Sequence, residues 1–556
     1  MILQGFLHPQ ISFAVQAFIR SSYGVLLLVL LILTLPQCRR FFLSERFGGY
    51  AESSRARDLI QSPVVMPCLM AAWFASAIFL VTGHAAVFAA LVNLFLCRYF
   101  FIEMRWKGIL RGMGAPGFMA YWLAALVFCL EYASVFEPTG RLRSLALLCF
   151  KIDFAVIMID SGLYKLFSGY PQNNGMERGL VNPFWGYWWR GYQRLSPDHL
   201  LMKLFNHLAY LTEIGAGILM LIPATQELGA LAILLSFLFI TLNIRLGVLC
   251  EMVIISAFIY FVPGGVGDRL VGTFMGVSSP APIAGASGIV GWINAGLAVL
   301  LWAYIILLPI SKAGLYINFY AKRRLSDWLQ KSLEAWTNFF GIILWRVFTV
   351  DNTNFFVRVY QETKSDGARR LYSRFGALDW MSRLRYIHVG EFICLTSVFT
   401  TLKYYPSDSD RFRDRLLRYA RTVPCAAGER LVFEYVDIKK EGGRFEFVES
   451  REFLVAPDEG RLEEKFLKEG ASAGDARRFT TLHEGQRPGT YAPKSSSLLK
   501  KPHLFRCGPR VVVRRTFRYV SAAHRSAPLI WGFLSRLRFF ITLLGKGLPL
   551  SRNLLK

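Results

Sequence analysis

The sequence predicts a polytopic α-helical membrane bundle of about nine spans, followed by a small cytoplasmic-side α+β domain and a basic amphipathic C-terminal helix. Three observations predict it. Of the 556 residues, 54% are hydrophobic and only 18% charged, with a mean hydropathy of +0.36. The apolar residues of the first three fifths fall in runs near the roughly 20 residues that a membrane helix requires. Beyond residue 351 those runs give way to short alternating segments and charged helices, the pattern of a soluble domain.

The formal charge of +26 would suit a nucleic-acid binder, but no nucleic-acid module accompanies it, and basic membrane proteins gather such an excess in their cytoplasmic loops. No nucleic-acid partner is expected. Nine cysteines are scattered without a CxxC, and eight histidines without an HExxH, so neither a disulfide framework nor a metal site is expected. No lysine or arginine precedes the first apolar run until Arg20, within it, and no small-residue cleavage site follows, so no removable signal peptide is expected.

In chain order, the expected spans are 11–35, 63–83, 84–103, 117–136, 144–167, 200–223, 227–244, 246–262 and 289–310. The seventh and eighth read as a tight pair around Asn243 to Arg245. Basic residues then vote on orientation. Arg39, Arg40, Arg46, Lys107, Arg190, Arg245, Lys312 and Arg323 fall on one face, against little beyond Arg141, Arg143 and Arg269 on the other. This places the N-terminus outside a bacterial inner membrane, and the long C-terminal region in the cytoplasm.

The fifth span is the centre of the reading, because it carries Lys151, Asp153, Asp160 and Lys165. A charge in mid-membrane costs about 2.5–3.5 kcal/mol on insertion scales, so such residues face a bundle interior or a wet cavity. Asp153, Asp160 and Tyr164 share a helical face, with Lys165 one residue round. Either the four form a site, or Asp160 and Lys165 pair with each other or with a neighbouring helix and set register without chemistry. A loop rich in Phe184, Trp185, Tyr187, Trp188, Trp189 and Tyr192 follows. These rings read as an interfacial belt or, alternatively, as the roof of a pocket for a flat lipophilic molecule above Lys165. The sixth span adds Asn206, His207, Tyr210 and Glu213 at i,i+3 spacings, with Glu213 a natural counter-ion for Lys165.

Residues 325–350 repeat apolar positions at threes and fours, as an amphipathic helix lying on the bilayer or capping the bundle does. The sequence therefore divides into a bundle (1–324), an interfacial segment (325–350), an α+β domain (351–456), a mobile linker (457–505) and a terminal unit (506–556) with a strand and a basic segment. In the α+β domain, 355–362 is strand-like, 381–402 and 411–421 are helical, and 431–439 with 444–455 form a hairpin around Glu441-Gly442-Gly443. Residues 529–556 interleave leucine and phenylalanine with Arg536, Arg538, Lys546 and Arg552, the signature of a segment attracted to anionic lipid.

Four stretches carry a family resemblance: RFFLSERFGGYAE at 40–52, GLYKL at 162–166, NHLAYLTEIGAGILMLIP at 206–223 and LWRVFTVDNTNFFVRVY at 344–360. Together they resemble the bacterial branch of the horizontally transferred transmembrane (HTTM) family, whose characterised relative is vitamin K-dependent gamma-carboxylase, over most of 40–455. The resemblance implies a quinone or hydroquinone cofactor and a lysine base that deprotonates it, and the motif puts that role on Lys165. Asp160, Glu213 and His207 are its candidate partners. Trp185, Tyr187, Trp188, Trp189 and Tyr210 are the candidate cofactor pocket. The alternative is a non-catalytic membrane scaffold that presents the α+β domain to a protein partner, with the buried charges fixing helix pairing.

Overall fold

The computed structural model describes residues 7–35, 38–104, 115–275, 288–320, 325–345, 353–363, 367–371, 386–404, 409–426, 428–457 and 459–467. The chain is mostly helical, with a small antiparallel sheet near its C-terminal end. Its main helices are α1 (Phe13–Thr34), α2 (Val65–Thr82), α3 (Ala86–Cys97), α4 (Ala115–Phe136), α5 (Arg141–Phe167), α6 (Leu200–Met220), α7 (Gln226–Asn243), α8 (Leu249–Ala257), α9 (Gly288–Tyr320), α10 (Asp327–Phe340), α11 (Tyr386–Tyr404) and α12 (Ser409–Arg421). The strands are β1 (Phe355–Thr363), β2 (Arg369–Leu371), β3 (Glu429–Glu441), β4 (Arg444–Ala456) and β5 (Arg461–Phe466).

Among the described residues six helices are long and apolar enough to cross a membrane: α1, α2, α3 with the turn that follows it, α4, α7 and α9. Helices α5 and α6, with 27 and 21 residues, have the length but are more polar. The expected eighth span is instead the nine-residue α8 and a 3-10 turn, about 14 Å of helix for its nine residues at 1.5 Å each. It is short because its side chains, among them Leu249, Met252 and Val253, are buried inside the bundle and do not face outward. The ninth helix runs ten residues past its expected end, to Tyr320, and so takes Lys312 into the bundle.

Each helix buries a stripe. In α1, Val15, Ile19, Tyr23 and Leu27 repeat every fourth residue and are fully buried, while Ser12 caps the first turn by accepting from the Val15 amide at 3.1 Å. One polar network ties the first four helices. Trp73 donates to Asn93 at 2.9 Å, Asn93 to the Tyr23 hydroxyl at 2.9 Å, and Tyr23 to the Ala120 carbonyl at 2.7 Å. Buried polar groups in such a chain are satisfied, so they specify register without an unpaired donor.

The sheet has strand order β2-β1-β3-β4-β5, every neighbour antiparallel. Gly442 and Gly443, both with positive φ, make the β3–β4 turn expected from the sequence. Helices α11 and α12 cover one face through Phe399 and Phe412 on Phe453 and Tyr419 on Phe433. Strand β5 lies where a mobile linker was expected. Its pairing with β4 satisfies an edge that would otherwise be open, and Leu462 is buried there. The remainder of that linker, and the basic segment 529–556, lie outside the described residues.

Candidate functional site

Helices α5 and α6 pack with their backbones in direct contact, and two glycines make this so. A Cβ at Gly162 would stand 2.6 Å from Ile214 Cγ1 and 2.9 Å from the Tyr210 carbonyl oxygen. One at Gly217 would stand 2.6 Å from Ile159 Cγ1 and 3.0 Å from the Ala155 carbonyl oxygen. Small residues permit this approach and larger ones would wedge it open. The closeness brings Lys165 against Glu213. The ammonium hydrogen-bonds to Glu213 Oε1 and reaches Ser161 Oγ at 3.4 Å, and the two charged residues are 4% and 2% exposed. Glu213 Oε2 is buried and has no hydrogen-bond partner among the described residues.

Asp160 is not part of that pair, which corrects its expected place as a partner of Lys165; both residues instead pair with a neighbouring helix, the other arrangement expected. Asp160 accepts from Lys312 Nζ at 2.8 Å, from the Tyr316 hydroxyl, and from the Trp345 backbone N–H at 2.9 Å. The physical reason is helical phase. Five residues turn a helix by about 500°, so Asp160 and Lys165 face different neighbours, α9 for the first and α6 for the second. Lys312 was counted as a loop cation on the strength of its position after the apolar run. It is buried, and it also donates to the Ile343 carbonyl at 2.7 Å. Arg245 departs from the loop reading in the same way. It is 2% exposed, donates to the Pro183 carbonyl at 2.9 Å and lies 4.9 Å from the Tyr187 ring centroid.

The aromatic loop is fastened to the protein along its backbone and through several of its rings. Trp185 accepts the Arg245 amide on its carbonyl at 2.7 Å, the Tyr187 amide donates to Asn243 at 3.0 Å, and Trp188, half exposed, donates to the Leu242 carbonyl at 3.1 Å. Trp189 lies against Phe447 of β4, with ring centroids 5.8 Å apart. Phe184 stacks on Phe392 at 4.4 Å, and Asn182 donates to the carbonyls of Thr353 and Phe355. Nearby, Lys440 reaches down from β3 to the fully buried Glu177 at 2.6 Å, which also accepts from Asn206 at 2.7 Å. The loop thus joins the bundle to the sheet. On α6, His207 Nδ1 and the Tyr210 hydroxyl are 2.7 Å apart, one helical turn before Glu213.

Sequence reasoning missed an apolar cavity of about 290 Å³ on another face of α5. It lies between α4, α5 and α9 and the end of α3, where the helix widens into a π-turn over Arg98–Glu103. Gly341, in the left-handed region at φ +71°, ends α10 and turns Ile342, Ile343 and Trp345 back to close the cavity. Asp153 and Tyr304 face it. Asp153 accepts from the indole N–H of Trp122 at 2.9 Å. The available signal was charge within apolar runs, at Asp153 and Lys312, since most of the other walls are ordinary apolar residues.

Away from the helices, the exposed face of the sheet carries a charge ladder. Burial alone would push the Glu362 carboxyl up, but hydrogen bonds from Arg369 and Arg430 hold it below the usual carboxylate range. Burial raises Glu434 in spite of Arg358 at 3.0 Å.

Comparison with protein-family models, with curated proteins and with solved structures returned no match to this chain.

Proposed function

We propose that this chain is a multi-pass integral membrane protein of the carboxylase-like type that its motifs resemble, acting on a quinol or another lipophilic substrate with Lys165 as the base. The Lys165–Glu213 pair carries the reading. A lysine accepts a proton only as the neutral amine, so it must first give one up. Glu213 Oε1 is already hydrogen-bonded to Nζ, and Oε2 lacks a partner among the described residues. The carboxylate can therefore take the ammonium proton, leave the amine free to deprotonate a substrate hydroxyl, and hand the proton on. Tyr210 and His207 continue the polar flank from Glu213.

The membrane reading is supported by the outward faces of the helices. Leu228, Leu231, Leu235, Leu238 and Leu242 of α7 are about half exposed or more, as are Ile289, Trp292, Val299, Trp302, Ile306 and Ile310 of α9. Apolar surface on this scale belongs in lipid. In this reading the membrane is a bacterial inner membrane, with the sheet in the cytoplasm and the basic 529–556 segment on anionic lipid, an orientation that the loop-charge bias supports. A cysteine placed at Lys440 should then be silent to an impermeant reagent in intact cells. Labelling from outside contradicts the orientation.

Mass spectrometry of lipophilic molecules retained by the purified protein tests the substrate. A quinone or quinol should co-purify, and Lys165→Ala should change its retention or turnover. A folded Lys165→Ala protein that leaves both unchanged removes Lys165 from the chemistry. The second reading, a scaffold, is favoured by the fastening of the sheet to the bundle through Glu177–Lys440 and Asn182. A stoichiometric protein partner with no retained lipophile would select it.

A further inference from the structure

We propose that the cavity against α5 is a binding site for a lipophilic cation, an aromatic or alkyl amine that pairs with Asp153. The proposal does not rest on the Lys165 chemistry. Its first support is the charge balance of the cavity walls. Lys312 is paired with Asp160 at 2.8 Å, and Arg98 with Glu103 at 3.6 Å. Asp153 is 4% exposed and has no cation within ion-pair distance among the described residues; Lys312, held by Asp160, acts on it from beyond that distance. The nearest basic residue in sequence, Lys151, lies on another face of α5. It donates to Gln226 at 3.0 Å and sits 5.5 Å from the Tyr260 ring centroid. Asp153 accepts instead from neutral donors, the Trp122 indole with Tyr304 beside it. A buried carboxylate requires a cation or a set of strong donors, and the cavity offers the space for a cation to arrive.

The second support is the wall chemistry. The rings of Trp122, Phe150, Tyr304 and Phe340 surround the space next to the carboxylate, Trp122 and Phe150 meeting edge to face at 5.1 Å. Aromatic faces attract a cation and bury its hydrocarbon body, and the attraction grows as water is excluded. An anionic ligand would meet Asp153 and fail. A neutral one would fill the apolar volume without engaging the carboxylate as an ion. The complement of this cavity is therefore a positive head on an apolar frame.

Three ligands with one frame separate these cases: 2-naphthylmethylamine, 2-naphthylmethanol and 2-naphthoic acid. Their binding to the full-length protein in nanodiscs is measured by equilibrium dialysis against empty nanodiscs. The amine should bind at least tenfold more tightly than the alcohol, a difference of about 1.4 kcal/mol, and the acid least. Asp153→Asn should bring amine and alcohol within about twofold, since a neutral amide cannot form the ion pair. Leu301→Trp, which fills the cavity and leaves Asp153 in place, should weaken the amine tenfold or more even where Asp153→Asn fails to fold. Lys203→Met, at a partly exposed lysine of α6 outside the cavity, should leave the preference as it is. Equal binding of amine and alcohol to the unaltered protein overturns the proposal. So does a preference that survives Asp153→Asn, amine binding indifferent to Leu301→Trp, or a preference abolished by Lys203→Met.

Discussion

Removing either member of the Lys165–Glu213 pair should be severe, and removing both should not. Each residue is nearly inaccessible, at 4% and 2% exposed, and each has the other as its closest ionic partner. Lys165→Met leaves the Glu213 carboxylate buried with neither oxygen matched to a cation. Glu213→Gln leaves a buried ammonium facing a neutral amide and Ser161 Oγ at 3.4 Å, with no counter-charge. Breaking a buried pair in this one-sided way costs about 3–5 kcal/mol. In Lys165→Met with Glu213→Gln no orphan charge is left, and the double variant should lose no more than either single. The coupling between the two sites then equals roughly one single-variant loss, well beyond the 0.3–0.5 kcal/mol or so within which independent sites add. Thermal unfolding of the four proteins in one detergent at one pH reads the cycle. If the double variant loses the sum of the two singles, the pair does not hold the bundle and the assignment of Glu213 as counter-ion is refuted.

The second buried pair makes a contrasting prediction, for Asp160→Asn should be rescued by Lys312→Met and not by Lys165→Met, whose effect should simply add; the same unfolding assay reads it, and rescue by Lys165→Met contradicts the separation of the pairs. Gly162→Val should destabilise the protein by about 1–3 kcal/mol, because even its Cβ would stand 2.6 Å from Ile214 and 2.9 Å from the Tyr210 carbonyl oxygen; no change in unfolding temperature contradicts close α5–α6 contact. In the sheet, Glu362→Gln should cost about 1 kcal/mol at pH 7, small because Arg369 and Arg430 are about a third exposed and screened. The sign follows from a depressed native carboxyl: its contribution is present above the ordinary value of 4.5 and is lost as pH falls through the lower native value, so the gap between variant and parent should narrow as pH falls below 4.5. A gap that stays constant throughout the acid range shows that the loss is one of packing and not of charge.

Long apolar helices were legible because length and composition alone select them, and α1, α2, α4 and α7 fall within a few residues of their expected bounds. The hairpin was legible because Gly442 and Gly443 mark a turn between two alternating runs. What could not be read was any relation between residues far apart in the chain. Asp160 and Lys165 looked like neighbours because they share a helix, yet their partners come from α9 and α6, and only packing decides that. Lys312 and Arg245 looked like loop charges because hydropathy scores a residue without its partner, and a paired lysine or a guanidinium on a tyrosine ring escapes the cost that hydropathy assigns it. The α8 segment has the composition of a span but buries its residues within the bundle, and nothing in its periodicity distinguishes lipid from protein as the apolar neighbour. The cavity was the least legible feature, since its walls are supplied by α4, α5, α9, the π-turn after α3 and the chain beyond α10.

The most direct test of the central claim is quinol-dependent oxygen uptake by the reconstituted protein, compared with the Lys165→Met, Glu213→Gln double variant at equal amounts of folded protein. A positioned base contributes about 10²–10⁴-fold to such a step. The double variant, stable because no charge is orphaned, should therefore lose at least a hundredfold of the uptake. Uptake retained by a folded double variant would show that Lys165 and Glu213 hold the bundle together and take no part in proton transfer.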